Sequence, residues 1–446
     1  MAAPDLIATD KLETPTLMAG SARLALLDAV ILYGTFALLM FGPLAFGAVE
    51  FWAVFSLQLG TVTLLLLWAA RQAMSPELDL VGNPLFAPML VFGAVIEAQL
   101  VLGTSAYRYS AMVGAALYLC YGGLAFLTAQ SLRRTSQVKL LACLLSGYGA
   151  AVALFALVQS LSSQGRLYWI REAEAGGAIY GPYVNRNHYA GLMEMLFPIA
   201  LAVLLSDQTH RKWKPAFACA AVLMAGTIFL SGSRGGMLAF AAQMAFLALL
   251  FGMQKNRRAA LITGCLLSAI VLVMLWVGGQ QLVTRVLSIH SEARTELDGG
   301  LRLTVDRDSL RMFAKRPVLG WGLHSFGEIY PRFRSFSTSK TIDQAHNDYL
   351  QLLVETGIVG FAAGMWLIGL VFRHATAKLK NWARDVNGTV ALASLLGCIG
   401  ILVHAFFDFN LQIPANAAFF YVLCTIAASH TSFGAHRKNR HVSSRR

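Results

Sequence analysis

Residues 386–406 read VNGTVALASLLGCIGILVHAF, twenty-one residues without one Asp, Glu, Lys or Arg. A helix rises ~1.5 Å per residue, so about 20 mostly apolar residues cross the ~30 Å hydrocarbon layer of a bilayer. This run has that length. Eleven more lie near 24–46, 50–70, 84–103, 110–131, 139–161, 188–206, 214–231, 235–252, 259–278, 347–372 and 413–430. The pattern predicts an all-α polytopic membrane protein of about twelve spans. The breaks at Phe46–Glu50 and Gly232–Gly235 are short enough to be tight hairpins.

Working outward, the composition of the 446-residue chain agrees. Hydrophobic residues make up 57% and charged residues 13%, and mean hydropathy is +0.58. A soluble domain carries about 25% charge, so a water-soluble chain of this length could not cover its surface. Disordered, collagen-like and disulfide-scaffold classes fall to the same numbers. The net charge of +13 would suggest nucleic acid on a soluble protein. Basic loops on the cytoplasmic side of a membrane explain it better, and no nucleic-acid partner is expected. The six cysteines all lie in apolar runs and read as packing residues. Asp5, Asp10, Lys11 and Glu13 precede any long apolar run, which is not the pattern of a signal peptide.

The distribution of basic residues orients the chain. With the N-terminus cytoplasmic, the inside segments hold 21 Lys and Arg against 5 in the short outside loops, which favours both termini inside. The expected organisation is an N-terminal cytoplasmic tail (1–23), nine spans (24–278), a large periplasmic loop (279–345), three spans (346–430) and a basic cytoplasmic tail (431–446). Within the loop, residues 301–315 (LRLTVDRDSLRMFAK) predict a helix stopped at Arg316-Pro317. Gly320 and Gly322 then signal a turn. Trp321, Phe326, Tyr330, Phe333 and Phe336 suit an aromatic stretch lying at the membrane interface.

Polar clusters gather on the outer face. GPYVNRNHYAG carries Asn185, Arg186, Asn187 and His188 at the mouth of the sixth span, and SGSRGG places Arg234 among small residues. The large loop contributes Arg302 and ends in AHNDYLQ, with His346 and Asn347 opening the tenth span; AFFDFNLQIPAN adds Asp408 and Asn410. Arginine close to hydrocarbon is costly, so it marks function by default, and its forked donors and permanent charge fit phosphate. The bland reading of Arg234 is snorkelling; its glycines argue instead for an uncovered side chain and a ligand close to the backbone. Arg234, Arg302 and Arg186 are thus candidate diphosphate-binding residues. His346 is the candidate general base, against the reading of an interfacial histidine capping a helix. His188 is a weaker candidate, because its turn can satisfy it locally. His404 and Asp408, one helical turn apart, either form a core contact or orient the site. His210, His290, His324, His374, His430, His436 and His441 read as solvated or interfacial. The chain has no G-x-x-x-x-G-K-[ST], G-x-S-x-G or H-E-x-x-H motif. Asp306 and Asp308 could imitate a metal-binding pair, but i and i+2 point apart on a helix. No metal and no cofactor are expected.

The stretches GPYVNRNHYAG, SGSRGGMLAF, LRLTVDRDSLRMFAKRPVLGWGLHSFGEIYPRFR, AHNDYLQLLVETGIVGF and HAFFDFNLQIPANA, within residues 181–417, resemble the O-antigen ligase/polymerase superfamily of bacterial inner membranes. The resemblance implies a twelve-span fold like that of the lipid-dependent (GT-C-like) glycosyltransferases, with a large periplasmic loop. It implies transfer of a glycan from undecaprenyl diphosphate without metal or nucleotide. The acceptor would be a lipid A–core sugar in ligases, a growing glycan in polymerases, or a protein hydroxyl in O-oligosaccharyltransferases. Arg234 and Arg302 match the family's diphosphate-binding arginines, and His346 its essential loop histidine. The sequence LTVDR after Arg302 departs from relatives with an aromatic there, which implies altered sugar packing.

The reading is therefore an inverting glycosyltransferase of the ligase type with its active site facing the periplasm. Polymerase and protein glycosylation are the alternatives, since all three share donor and base. A lipid-linked glycan transporter fits less well, because the one long loop comes late and the polar clusters share one face. A non-catalytic membrane scaffold fits least.

Overall fold

The computed structural model describes residues 15–75, 77–172, 179–272, 301–338 and 341–429. The two tails beyond these limits, residues 279–300 and 339–340 of the predicted loop, and His290, His430, His436 and His441 lie outside the described residues. The helices are α1 (Pro15–Leu44), α2 (Phe51–Ala73), α3 (Phe86–Val101), α4 (Arg108–Ser131), α5 (Thr135–Ser162), α6 (Arg186–Leu205), α7 (Lys214–Leu230) and α8 (Arg234–Gln254). After α9, described over 257–272, come α10 (Leu301–Lys315), α11 (Phe326–Ile329), α12 (Asp348–Ala377), α13 (Val386–His404) and α14 (Pro414–Ala428). A two-residue hairpin, Arg166–Leu167 with Arg171–Glu172, is the one sheet among the described residues.

Every predicted run falls on a helix, and α10 has its predicted limits. The expected count of twelve spans is met in part. Among the described residues nine helices are long and apolar enough to cross a membrane: α1, α2, α4 to α8, α12 and α13. α3 and α14 are apolar but only 16 and 15 residues long. The third run outside the nine, on α9, is described only to residue 272, short of its expected end at 278. The chain is a multi-pass helical membrane protein.

α6 and α13 form the centre of the bundle, with 94% and 72% of their apolar windows buried. They pack on each other, α6 also on α7, and α13 on α8 and α14. Without a hydrophobic drive between helices in lipid, close packing and polar ties hold such contacts. Gly397 of α13 lets the Met195 backbone approach: an added Cβ would sit 3.2 Å from its carbonyl oxygen. Gln243 of α8, fully buried, donates from Nε2 to the carbonyls of Glu194 (2.8 Å) and Leu396 (2.9 Å), tying α8 to both. The six cysteines are all free thiols.

One interruption positions the site. α12 breaks at Gly357 (φ 64°, ψ −170°), and a broken span must satisfy its freed backbone groups. Residues 317–322 do so. Ile358 N donates to Pro317 O (2.8 Å), Trp321 N to Val354 O (3.0 Å) and Gly322 N to Glu355 O (2.9 Å). The buried Glu355 carboxylate accepts from His324 N (2.8 Å) and Phe326 N (3.1 Å). The expected interfacial aromatic stretch is therefore a small core of its own. Phe326 and Tyr330 are 1% exposed and, with Trp321, Phe333 and Phe336, pack on Val305 and Met312 of α10 and Val354 of α12. His324, expected to be solvated or interfacial, is held in this turn, where burial lowers its pKa against the pull of Glu328 and Asp343.

Candidate active site

α13 ends at His404, and the chain turns through residues 405–413 into α14. Asp408 lies in that turn, its N–H donating to His404 O (3.2 Å) and its side chain 2% exposed. Two other elements converge on its carboxylate, and its own turn adds a backbone donor. From the first turn of α6, Asn187 Nδ2 donates to Oδ2, and His188 Nε2 stands 3.8 Å from Oδ1. From the entry to α12, His346 Nδ1 stands 3.5 Å from Oδ1. Phe409 N donates to Oδ1 at 2.8 Å. Burial alone would raise this carboxyl. The contact with His346 and the charges of His188, His346 and His404 outweigh burial and hold it well below the usual carboxylate range.

The Phe409 ring lies against both imidazoles, with centroids 4.7 Å from His188 and 4.8 Å from His346 and both contacts edge-on. His188 is buried, whereas the His346 side chain is 36% exposed. His346 also has φ +55°, a left-handed conformation uncommon outside glycine that clusters at functional sites. Asn347 caps α12 by accepting from Tyr349 N and Leu350 N (3.2 Å each). Asp348 N donates to Ala405 O, and Asp348 Oδ2 accepts from Leu411 N at 3.0 Å. These bonds clamp the entry of α12 to the Asp408 turn. Asn185 likewise caps α6, accepting from Asn187 N at 2.9 Å. Both asparagines are occupied by backbone, and their support is positional.

Arg302, exposed on α10, donates from Nη1 to Phe407 O (3.0 Å), one residue from Asp408. The pKa of Asp306, one turn further along α10, is raised by burial against the opposing charges of Arg302 and His346. Asp308 points away and is buried, accepting from Ser335 N (2.9 Å) and Arg311 Nη1 (3.1 Å). The two acids diverge as the helical spacing requires.

Arg234 and Arg186 are the first residues of α8 and α6, capped by Ser233 and Asn185. Both half-buried arginines therefore sit at helix N-termini, where unpaired N–H groups and the helix dipole favour anions. The glycines after Arg234 have a different reason from the one expected. A Cβ on Gly235 would come within 2.4 Å of the His404 ring, and one on Gly236 within 2.9 Å of Ala190. They let α8 close onto α13 and α6. The His404 ring pairs with Glu194, its Nδ1 2.8 Å from Glu194 Oε1 with both side chains buried, and reaches Asp408 only through its backbone carbonyl and its charge. Glu194 was not among the predicted residues. Its signal was an acid inside an apolar run, the intramembrane charge that marks function or a tight pair. Asn187, quoted in its motif without a role, is the other omission.

His404 cannot retreat without leaving Glu194 unpaired. Gly235→Ala should therefore overpack this junction and destabilise by about 1–3 kcal/mol, and it should disturb Arg234. Thermal melting of the purified protein with a transfer assay checks both; unchanged melting would mean that α8 shifts freely.

Residues 219–365 match the family model described as O-antigen ligase. Over that third of the chain the protein is similar to the O-antigen ligase family. The match supports the O-antigen ligase/polymerase superfamily and, with it, ligase- or polymerase-type activity on a lipid-linked glycan and a glycan acceptor. It contains Arg234, Arg302 and His346; the turns bearing Arg186, His188 and Asp408 lie beyond it, and geometry alone joins them to the site. No curated protein matches the chain.

Proposed function

We propose that this protein is an inverting glycosyltransferase of the bacterial inner membrane. It moves a glycan from undecaprenyl diphosphate to an acceptor hydroxyl at the periplasmic face, in the manner of a ligase acting on lipid A–core. The observation that carries this is a half-exposed His346 with Nδ1 turned to a buried Asp408 carboxylate and Arg302 bonded beside it. With Nδ1 facing Asp408, Nε2 is the nitrogen left to take the acceptor proton. The acceptor oxygen attacks the anomeric carbon as the bond to the diphosphate oxygen breaks. Arg234 and Arg302, with Arg186 nearby, stabilise the charge growing on the leaving diphosphate. Asp408 orients the ring and stabilises the imidazolium. The break in α12 gives no support to a transporter, because the protein's own loop fills it.

Purified protein, lipid-linked donor and separate lipid A–core, glycan and hydroxyl-peptide acceptors test the reading. Product with the first acceptor is expected, and product with none would sink it. Transfer should persist in excess EDTA, since the arginines supply the positive charge; loss restored by magnesium would redirect attention to Asp306. For orientation, cysteines at Ser337 and Ser136 can be probed with an impermeant thiol reagent on spheroplasts. Only Ser337→Cys should be marked, and labelling at Ser136→Cys would reverse the topology.

A further inference from the structure

We propose that the groove between α5 and α7, at the end of the bundle opposite the candidate site, binds one phospholipid with an anionic headgroup. The groove has a volume of about 840 Å³. Small residues of α5, including Ala142, Ser146, Gly147 and Ala150, open it opposite Phe217 and Leu223 of α7. A Cβ on Gly147 would meet nothing within 4 Å, so the cleft has room for a chain that is not the protein's own.

Two further observations set the groove apart from an ordinary lipid-facing surface. Ser146 is 2% exposed, yet its hydroxyl has no hydrogen-bond partner. Hydroxyls in spans usually return to the carbonyl four residues back, as Thr35, Thr61 and Thr128 do here. Ser146 instead keeps a donor for a polar atom brought in by the guest, such as an ester carbonyl. The mouth of the groove is basic and aromatic, with Lys139, His210 and Trp213 lining it, all exposed. Lys212 lies over the Trp213 ring at 5.6 Å. The nearby acid, Asp207, is already engaged by Arg258 (3.4 Å) and Arg384 (4.0 Å). Cations beside an interfacial tryptophan above an apolar cleft match a phosphate headgroup with its acyl chain.

The test uses the full chain, delipidated in detergent, with native mass spectrometry. Phosphatidylglycerol and phosphatidylethanolamine of matched chains are added separately. One phosphatidylglycerol adduct should be retained at least tenfold better than phosphatidylethanolamine. The double variant Lys139→Glu, Lys212→Glu should abolish that preference. Gly147→Leu, which fills the cleft, should weaken both lipids. Equal retention of the two lipids by the wild type, or an unchanged preference in the charge-reversed variant, would overturn the proposal. The reversed residues are exposed, so that arm stands even where Gly147→Leu disturbs packing.

Discussion

Replacing His346 by alanine should slow glycan transfer at least about a hundredfold, because a positioned general base supplies about 10²–10⁴ in rate. The loss should fall on the chemical step. The side chain is 36% exposed and fills no core, so the variant should insert, melt normally and bind its donor. The backbone there is left-handed (φ +55°), a conformation alanine adopts less readily than asparagine. His346→Asn therefore separates backbone strain from chemistry, and it should be equally slow. Single-turnover transfer with saturating donor decides the matter. If chemistry is unchanged and only donor affinity falls, His346 is a binding residue. Asp408→Asn supplies the companion test. The carboxylate is held ionised far into acid, so its own protonation cannot produce an acid limb in the rate profile at ordinary pH. Removing the charge should lower the rate, because the imidazolium formed in the reaction loses its counter-charge, and an unchanged single-turnover rate would remove Asp408 from the mechanism.

The helices were legible because hydropathy is a local property: a run either has the length to cross a bilayer or lacks it. Hydropathy located α3 and α14 but not their lengths, which are 16 and 15 helical residues. His346 and Arg302 stood out as polar groups at the edges of apolar runs. Their assembly did not, since Asn187 and Asp408 are 221 positions apart and only the packing of α6 on α13 brings them together. The aromatic stretch after Arg316 misled for a related reason. Phe326, Tyr330 and Phe333 share a helical face at i, i+4 and i+7, and in sequence such an aromatic face looks the same whether it packs on its own core or lies on a membrane. Arg234 kept its predicted place while the reason for its glycines changed from ligand access to helix contact, which only the partner atoms of His404 and Ala190 could reveal.

Lysine in place of Arg302 or Arg234 should fail nearly as badly as alanine, with transfer down about 10²–10³-fold, the usual cost of removing one donor aimed at developing charge. Charge is conserved in the exchange, so the expectation rests on geometry. A guanidinium presents five donors in a planar fork, whereas an ammonium is a single point of charge. Arg302 already directs Nη1 to Phe407 O at 3.0 Å, which leaves its remaining N–H groups for phosphate oxygens. A lysine can reach the carbonyl or the phosphate but cannot hold both in register. At Arg234 the side chain leaves the first turn of α8, whose dipole adds to the field at the same anion, and the fork is again what two phosphate oxygens would recognise. Arg302 is exposed and should melt as the wild type does, so lost activity there cannot be charged to unfolding. The deciding comparison is kcat/KM with donor for lysine against alanine at each position, alongside inhibition by free pyrophosphate. Lysine variants within about tenfold of wild type would mean that bulk positive charge suffices, and the bidentate grip on the leaving diphosphate would have to be abandoned.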